Sequence, residues 1–483
     1  GVGINFSPVR PRGTIIAGTG GEATGSVSLM NIVNGVCEEI KAGGGRRSAL
    51  MFCLNSDHPD ILEFLNAKLD LGKINNANIS IVFMNESPAT FFEKVKADAD
   101  HHLMWKGKIV KTIKARELWD ILLKNALKNG EPGILNGYLA NEQNNIAYCR
   151  DLISTNPCGE IFMQAYSVCC LGAVVLPRFV KDSKAKNIND RFDWGALHTS
   201  VGRGVRFLDN VLTVNHYPIP ETEVESKKTR RVGLGIMGLH DMLLMLGLKY
   251  SSQEGRDFVS KVMSFIKHAA YDTSTYLALE KGAFPEFDAE KFLKSGFVKN
   301  LKPSVRNKIR DYGMRNCALL TIAPTGTTSI VQGVTSGIEP IFACAYNRKF
   351  KDSNLDIHSE VVVHPLFEQF VNEGLDVSHF EGSDDVAPRE HFLMQAVCQE
   401  QVDNAISKTV NIPQEKYTPE LLSDLYMEFV PQLKGTTIYP VGSRQDTPLE
   451  AIPLKEAYDL VVAGKAKHEE EAIDNCVSGV CGL

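Results

Sequence analysis

The chain has 483 residues and a formal net charge of −6, and its hydrophobic (43%) and charged (23%) fractions are those of a globular protein. The acidic balance offers no basic surface for nucleic acid or an anionic membrane. No apolar run reaches the length of a membrane span, and the first residues do not resemble a signal peptide. Eleven cysteines in mostly apolar surroundings suit a reducing compartment, so we expect a cytoplasmic protein without nucleic-acid or membrane partners.

The first part of the chain is rich in glycine and arginine. Residues 1–6 predict a strand, and residues 27–40 predict an apolar helix. The loop after the strand carries Arg10, and the loop after the helix (residues 43–47, GGGRR) carries Arg46. Both loops could present backbone N–H groups and positive charge to a phosphate, although ordinary surface turns are the alternative.

Helices and strands alternate along the rest of the chain. Predicted helices cover residues 58–65, 115–128, 240–248, 253–281 and 389–403, and a further one begins at Pro419. Predicted strands cover residues 79–84, 169–176, 319–323, 406–412 and 436–439. This alternation predicts an α/β fold with parallel strands.

Three functional side chains lie close together in the stretch Asn156-Pro157-Cys158-Gly159-Glu160. If the stretch is extended, its period of two points Asn156, Cys158 and Glu160 the same way. An amide, a thiol and a carboxylate would then share one space and could orient a hydroxyl, exchange hydrogen atoms and accept a proton. The predicted buried strand that begins at Cys169 could return a second thiol there. A simple turn that happens to contain a cysteine is the alternative.

Two glycine motifs follow. Residues 233–238 match G-x-G-x-x-G, but charged residues precede them and no clean βαβ unit surrounds them, so we reject a dinucleotide site and expect close helix packing. The strand at 319–323 runs into the turn Pro324-Thr325-Gly326-Thr327-Thr328-Ser329 and then a helix. This turn could hold an anion, with a simple helix cap as the alternative.

After about residue 450 the chain becomes charged and irregular, and it ends with Cys476 and Cys481 among small residues. No second ligand pair lies nearby for a zinc site, and we predict no metal centre. A dithiol on a flexible tail that exchanges disulfides with another thiol pair fits better.

The motifs together resemble one family. They are N-P-C-G-E (156–160), C-C-L-G (169–172), P-T-G-T-T-S (324–329), S-G-I-E-P (336–340), A-I-S-K-T-V-N-I-P (405–413), G-S-R (442–444), the terminal C-x-x-x-x-C, and the opening G-V-G-I-N-F-S, T-G-G-E-A-T-G and G-G-G-R-R. This set resembles the large catalytic chain of ribonucleotide reductases, and the matches run from residue 1 to the end in the family's order.

The resemblance implies a ten-stranded α/β barrel with Cys158 on a central finger loop. As a thiyl radical, Cys158 would take the 3′ hydrogen atom of the ribose. Glu160 would act as the base on the 3′-hydroxyl, and Asn156 would hold the hydroxyls. Cys169 would belong to the dithiol that drives loss of the 2′-hydroxyl as water. The Cys476/Cys481 tail would then reduce that pair again.

The resemblance also implies the binding sites and partners. The substrate phosphates would meet the turn of Pro324, Thr325, Gly326, Thr327, Thr328 and Ser329, with Gly1 beside the nucleoside. Arg10 and Arg46 would serve the effector site. The substrates would be ribonucleoside di- or triphosphates, reduced to DNA precursors under control of dNTP and ATP effectors. The resemblance further implies a thioredoxin- or glutaredoxin-type reductant and a homodimer.

The radical source can be inferred from one difference between this chain and the family pattern. Members with a separate metal-containing radical subunit carry two adjacent tyrosines near the C-terminus, whereas this chain has Tyr439 followed by Pro440. That relay is interrupted, and the motif spellings resemble the adenosylcobalamin-dependent class, so we expect adenosylcobalamin as cofactor. The alternatives are a catalytic subunit that needs the metal-containing subunit, a non-catalytic nucleotide-binding homologue, and a nicotinamide dehydrogenase.

A second difference from the family pattern concerns the dithiol. The family partner of Cys169 lies on the first barrel strand, upstream of the G-V-G-I-N-F motif, so the first strand or strands and an N-terminal region are expected to be missing here. An N-terminal fragment on another polypeptide could complete the barrel. We divide the chain into residues 1–130 (first part of the barrel with the specificity loops), 131–450 (the remainder, with finger loop and phosphate site) and 451–483 (flexible redox tail).

Overall fold

The computed structural model describes residues 1–40, 48–69, 74, 76–181, 185–351, 357–441, 449–464 and 467–468. The strands are β1 (Val2–Asn5), β2 (Leu50–Asn55), β3 (Ala77–Val82), β4 (Asp100–Trp105), β5 (Lys108–Lys114), β6 (Gly133–Leu135), β7 (Ser154–Thr155), β8 (Phe162–Met163), β9 (Leu171–Val175), β10 (Gly233–Met237), β11 (Ala345–Lys351), β12 (Ile357–Val363), β13 (Thr409–Pro413), β14 (Gly435–Val441), β15 (Leu449–Ile452) and β16 (Lys467–His468).

The helices between them pack on the outside of the sheets. They are α1 (Ser26–Glu39), α2 (Ile61–Leu65), α3 (Pro88–Lys96), α4 (Ala115–Asn129), α5 (Gly137–Glu142), α6 (Trp194–Val214), α7 (Pro220–Thr229), α8 (Leu239–Leu246), α9 (Gln253–Lys281), α10 (Ala289–Phe292), α11 (Pro303–Tyr312), α12 (Gly326–Gln332), α13 (Pro365–Asn372), α14 (Pro388–Gln399), α15 (Pro419–Phe429) and α16 (Leu454–Val462). Among the residues with coordinates, none of these helices is both long and apolar enough to cross a membrane.

The first sheet has six strands in the order β1-β2-β3-β6-β14-β13. Strands β1, β2, β3 and β6 run parallel, β14 pairs antiparallel with β6, and β13 runs parallel to β14. Alternation along β2 gives the sheet two faces. Phe52 and Leu54 enter the outer core under the helices, whereas Met51 and Cys53 belong to a smaller inner cluster.

A second parallel set continues from the other end of that sheet. Strands β9 and β10 are parallel, and isolated parallel bridges join Leu234 to Leu320 and Ile322 to Ile406, just before β13. The predicted α/β fold with parallel strands is therefore confirmed. The paired strands do not close into a barrel within the described residues, so the ten-stranded barrel with missing first strands remains a prediction.

Several predicted elements differ in detail. Cys169 and Cys170 precede β9, and that strand is only partly buried, so the buried strand predicted from Cys169 is wrong at its start. The segment 319–323 forms bridges but not a regular strand. Residues 449–462, predicted to be irregular, form β15 and α16. The rest of the predicted tail lies mostly outside the described residues.

The described residues of 345–372 and 449–468 build a small additional unit. Its mixed sheet has the order β15-β11-β12-β16, in which β15, β11 and β12 pair antiparallel and β16 joins β12 in parallel. Ile452, Val461 and Phe367 from this unit form a separate hydrophobic cluster. Ala457 and Val461 of α16 both belong to this cluster. The end of the described chain therefore packs against the unit and forms a strand and a helix. The division at residues 130 and 450 stays a prediction.

The G-x-G-x-x-G match lies on a strand instead of in a phosphate-binding turn. Gly233 to Met237 form β10, all buried. A Cβ on Gly235 would lie 2.5 Å from the carbonyl oxygen of Thr321, so this glycine allows two chain segments to approach closely. Gly235 thus serves the close packing of neighbouring strands, whereas Gly238 directly precedes α8 and a Cβ on it would lie 2.6 Å from Cδ of Pro177.

Candidate active site

The central feature is the loop of residues 154–163, which we call the finger loop. Strands β7 and β8 form its antiparallel base, and its tip is a turn closed by the Gly159 N–H donating to the Asn156 carbonyl oxygen at 3.0 Å. Gly159 has a φ of 79°, which favours glycine. The extended conformation predicted for this stretch is therefore wrong. The turn leaves Cys158 exposed and Glu160 buried instead of projecting both the same way.

The finger loop lies against the first sheet. The Asn5 side-chain amide donates to the Ile153 carbonyl oxygen at 2.7 Å, and that of Asn78 donates to the Pro157 carbonyl oxygen at 3.1 Å. A Cβ on Gly3 would lie 1.6 Å from the Thr155 carbonyl oxygen. The glycine at this position lets the loop pass directly over β1.

Gly1 also lies at the finger loop, where the sequence predicted a residue beside the nucleoside. A Cβ built on it would be 2.6 Å from Cγ of Pro157. The structure thus brings Gly1 to the tip of the loop. Its contact with a nucleoside stays a prediction.

The second set of strands holds the loop from the opposite side. The Ala405 N–H donates to the Glu160 carbonyl oxygen at 2.9 Å, and the Thr321 hydroxyl donates to the same oxygen at 2.7 Å. Sequence reasoning missed Thr321. The available signal was a single polar residue inside the apolar run L-L-T-I-A.

Glu160 is a buried carboxyl group with one unsatisfied oxygen. Its side chain is 2% exposed, and Oε2 has no hydrogen-bond partner. Burial raises the pKa of the carboxyl group, and a hydrogen bond from the Asn156 side chain opposes that shift. A carboxyl group with a raised pKa and an unsatisfied oxygen can exchange a proton with a bound hydroxyl.

Cys169 lies beside this carboxyl group. Burial raises the pKa of its thiol to about 12, with a further increase from the negative charge of Glu160 and a smaller one from Cys158. Its sulfur is 3.7 Å from the Met163 sulfur at the end of β8. The structure therefore places Cys169 within electrostatic reach of Glu160 and Cys158, which lie in a turn and not in an extended strand. The roles of the three residues stay predictions.

The predicted phosphate turn forms the start of α12. Thr325 precedes the helix without a side-chain cap, and its N–H donates to the Ser336 hydroxyl at 2.9 Å. Pro324, Gly326, Thr327 and Thr328 are exposed. Ser329 is buried, and its hydroxyl donates to the Gly326 carbonyl oxygen at 2.7 Å, so this residue supports the turn from inside. The turn follows closely after Thr321, which links it to Glu160.

The remaining predicted residues give less information. Arg10 is exposed in the loop after β1. Arg46, Cys476 and Cys481 lie outside the described residues. The effector and tail roles therefore stay predictions. Among the described residues there is no cluster of three or more potential metal ligands.

Known proteins with similar sequences extend along most of this chain. The family model described as "Ribonucleotide reductase, barrel domain" matches residues 1–439. The vitamin B12-dependent ribonucleoside-diphosphate reductase of Thermoplasma acidophilum is 35% identical over 462 residues, which cover 91% of this chain and 57% of that protein. The protein of the same name from Mycobacterium tuberculosis is 33% identical over 473 residues, covering 92% and 64%.

A more distant relative is the ribonucleoside-diphosphate reductase large subunit of vaccinia virus, 27% identical over 409 residues that cover 76% of this chain and 52% of that protein. The chain thus spans between 57% and 64% of the length of the two more similar relatives. The match of the family model over most of the described fold, including the finger loop, decides the assignment. This chain belongs to the ribonucleotide reductase barrel-domain family.

Proposed function

We propose that the chain is the catalytic part of an adenosylcobalamin-dependent ribonucleotide reductase. The observation that carries the proposal is the finger loop, where the exposed Cys158 lies beside a buried carboxyl group with an unsatisfied oxygen and a second thiol, Cys169. Two relatives that cover more than nine-tenths of the chain are named vitamin B12-dependent ribonucleoside-diphosphate reductases.

Each group has a defined task in this proposal. Cys158, as a thiyl radical, takes the 3′ hydrogen atom of the ribose and later returns it. Glu160 accepts the proton of the 3′-hydroxyl, and Asn156 orients that hydroxyl. The 2′-hydroxyl leaves as water while a dithiol that includes Cys169 becomes a disulfide. The overall reaction converts a ribonucleotide and a dithiol into a deoxyribonucleotide, a disulfide and water.

The residues present fit the proposed cofactor in one respect. A group that takes the hydrogen atom of a thiol needs open access to the sulfur, and Cys158 is exposed at the tip of the loop. When bound, adenosylcobalamin supplies the radical chemistry that such a step needs. The chain's own contribution is to hold the thiol at an accessible turn, with the carboxyl group of Glu160 excluded from water next to it.

The substrate is a ribonucleoside di- or triphosphate. The exposed first turn of α12 supports this choice, since hydroxyls and N–H groups at a helix start suit phosphate. Arg10 and Arg46 are proposed to meet the phosphates of dNTP or ATP effectors. Cys476 and Cys481 are proposed to pass electrons from a thioredoxin- or glutaredoxin-type reductant. A cytoplasmic location fits this need for reduced thiols.

The proposed homodimer is supported by the outer face of α1. A stripe of exposed apolar side chains follows this helix at spacings of three and four residues. The stripe consists of Leu29, Ile32, Val36 and Ile40, which are 39–63% exposed. Such a stripe fits a second helix. We expect Ile32→Glu to shift a dimer towards monomer in light scattering, whereas a change at the exposed Ile109 in the β4–β5 hairpin leaves the mass unchanged.

The proposed completion by a further strand is supported by the outer edge of β9. In the described residues β9 pairs only with β10. A groove of about 700 Å³ lies beside it, lined among others by Leu171, Arg203 and the exposed Phe207 of α6. We propose that a strand from an N-terminal polypeptide segment lies along this edge and supplies the thiol that pairs with Cys169.

The decisive experiment is a product assay on the natural polypeptide or polypeptides. The enzyme is incubated anaerobically with CDP or CTP, an effector nucleotide and a dithiol, with and without adenosylcobalamin, and the deoxynucleotide is quantified. Product that depends on the cofactor and is lost in Cys158→Ser, but not in Cys37→Ser, supports the proposal. Product only with a metal-loaded radical subunit would instead favour the alternative class, and nucleotide binding without product would favour a non-catalytic homologue.

A further inference from the structure

Arg231 is a buried cation that forms no ion pair with any described residue. Its side chain is 4% exposed, and its two terminal nitrogens donate to neutral acceptors, Asn404 Oδ1 at 2.9 Å and Gln164 Oε1 at 3.2 Å. Its Nε atom has no hydrogen-bond partner. No carboxylate forms an ion pair with it among the described residues. Burying a charge without an opposite charge is costly, so its position needs a reason beyond stability.

The neighbouring arginine shows the ordinary arrangement. Arg230 is also buried, but it forms an ion pair with Asp209 at 2.7 Å and donates to the Thr213 hydroxyl. Arg230 ends α7 in the left-handed conformation, with a φ of 50°. The two consecutive arginines therefore lie in different surroundings. Among the described residues, a carboxylate neutralises the charge of Arg230, and none neutralises that of Arg231.

Arg231 joins the two structures that fix the base of the finger loop. Gln164 directly follows β8, at the end of the loop. Asn404 directly precedes Ala405, whose N–H holds the Glu160 carbonyl oxygen. One guanidinium group thus connects the exit of the loop to the segment that grips its inner side. A shift of this group would move Glu160 and Cys158 relative to the sheets.

The charge of Arg231 also lowers the pKa of the Cys169 and Cys317 thiols, but not that of Cys170, the neighbour of Cys169. Burial and Glu160 raise the pKa of Cys169, while Arg231 and the N-terminal amine lower it. Burial and Asp209 raise the pKa of Cys170 to about 11, and Arg231 has no part in that shift. The two adjacent cysteines therefore lie in different electrostatic surroundings, since Cys170 is near Asp209, which pairs with Arg230, Lys281 and Arg315.

We propose that Arg231 is a positioning residue of the reductase reaction. It ties the base of the finger loop to the segment before Ala405, and it brings a positive charge to the side of the loop where Met163 contacts Cys169. The role in turnover rests on the proposed function. The effect on the thiol does not, because it follows from the charge alone.

The test measures the alkylation rate of individual cysteines in the full, reduced chain. Iodoacetamide is added between pH 7 and 10, and labelled peptides are quantified by mass spectrometry. In Arg231→Gln we expect Cys169 to react several-fold more slowly at a given pH, because loss of the positive charge raises the pKa of the thiol and lowers its thiolate fraction. Cys170 should stay within about twofold. Arg230→Gln is the matched control, because it also removes a buried arginine but should leave the Cys169 rate unchanged.

Arg231→Lys separates charge from hydrogen bonding. It keeps the charge but cannot bridge Gln164 and Asn404, so we expect near-normal Cys169 alkylation with a lower kcat and an unchanged KM. Unchanged Cys169 alkylation in Arg231→Gln, or an equal change at Cys169 and Cys170, would overturn the proposal. If Arg231→Gln does not fold, normal kcat or slow Cys169 alkylation in Arg231→Lys would overturn it. Absence of reductase activity in the unaltered enzyme would refute the proposed function and leave the thiol measurement valid.

Discussion

The outer cores and the interior around the finger loop are built on different principles. The core between the first sheet and its helices contains large, fully buried side chains such as Trp119, Phe91 and Tyr426. The inner cluster contains mainly small and medium residues, among them Cys53 and Ala405, and the Ala405 N–H donates to the Glu160 carbonyl oxygen. The outer region packs large rings against one another, whereas the inner one adjoins a loop that carries a buried carboxyl group with an unsatisfied oxygen.

This difference shows where stability and chemistry reside. Apolar burial dominates folding, and the outer cores supply most of it. The interior keeps a buried carboxyl group and the buried guanidinium of Arg231, which has only neutral acceptors among the described residues, and both of these groups oppose folding. We therefore expect changes in the interior to affect activity more than stability and changes in the outer core to do the reverse.

Cys158→Ser should have the largest effect on activity. The proposed radical needs a thiol, and a hydroxyl cannot replace it, so we expect kcat to fall more than about 10³-fold. Because Cys158 is exposed, the melting temperature should stay within about 1 °C. Calorimetry measures the melting temperature, and the product assay measures kcat. A variant that retains activity would remove Cys158 from the reaction, and one that unfolds would break the proposed separation of the two regions.

Trp119→Ala should have the converse effect. Its ring contacts Phe92 and Tyr426, and its indole N–H donates to the Ser423 hydroxyl at 2.8 Å. Loss of this buried ring should lower the free energy of unfolding by about 3–5 kcal/mol. Chemical denaturation measures the loss, with Trp119→Phe as a milder control. At a temperature where the variant is folded, its kcat should stay within about threefold of the original value.

Gly3→Ala tests the close approach of the finger loop to β1. The new methyl group would lie 1.6 Å from the Thr155 carbonyl oxygen, so the loop must move. A displacement of about 1 Å can cost about 100-fold in rate, and we expect a loss of that order in kcat. Gly195→Ala is the matched control, because its nearest neighbouring atom is 3.6 Å away in the exposed start of α6. Equal activities of the two variants would show that the loop tolerates movement.

The sequence predicted the elements that hydrophobic periodicity defines. Helix α9 begins and ends at the predicted residues, and α4 begins at the predicted residue and ends one residue after the predicted end. The residues at the site were found through their motif. Their conformation was not, because the turn at Cys158 depends on contacts from Gly3 and Ala405, which are distant in sequence. Arg231 was missed because nothing in a K-K-T-R-R run distinguishes a paired arginine from an unpaired one.

Glu160→Gln should raise stability slightly, which is the opposite sign to the effect of Trp119→Ala. Burial raises the pKa of this carboxyl group above its ordinary value of 4.5, so the folded state binds the proton more tightly than the unfolded chain. The resulting penalty is absent below the unfolded pKa, grows as the pH rises towards the raised folded pKa, and is complete above it. Glutamine carries no charge and removes the penalty.

We expect a melting temperature about 1–3 °C higher at pH 8 and unchanged at pH 4, together with lost activity. Glu142→Gln, at an exposed position in α5, should show no pH-dependent difference. If Glu160→Gln were destabilising at pH 8, the carboxylate would be stabilised in the fold, and the interior would not oppose folding at this residue.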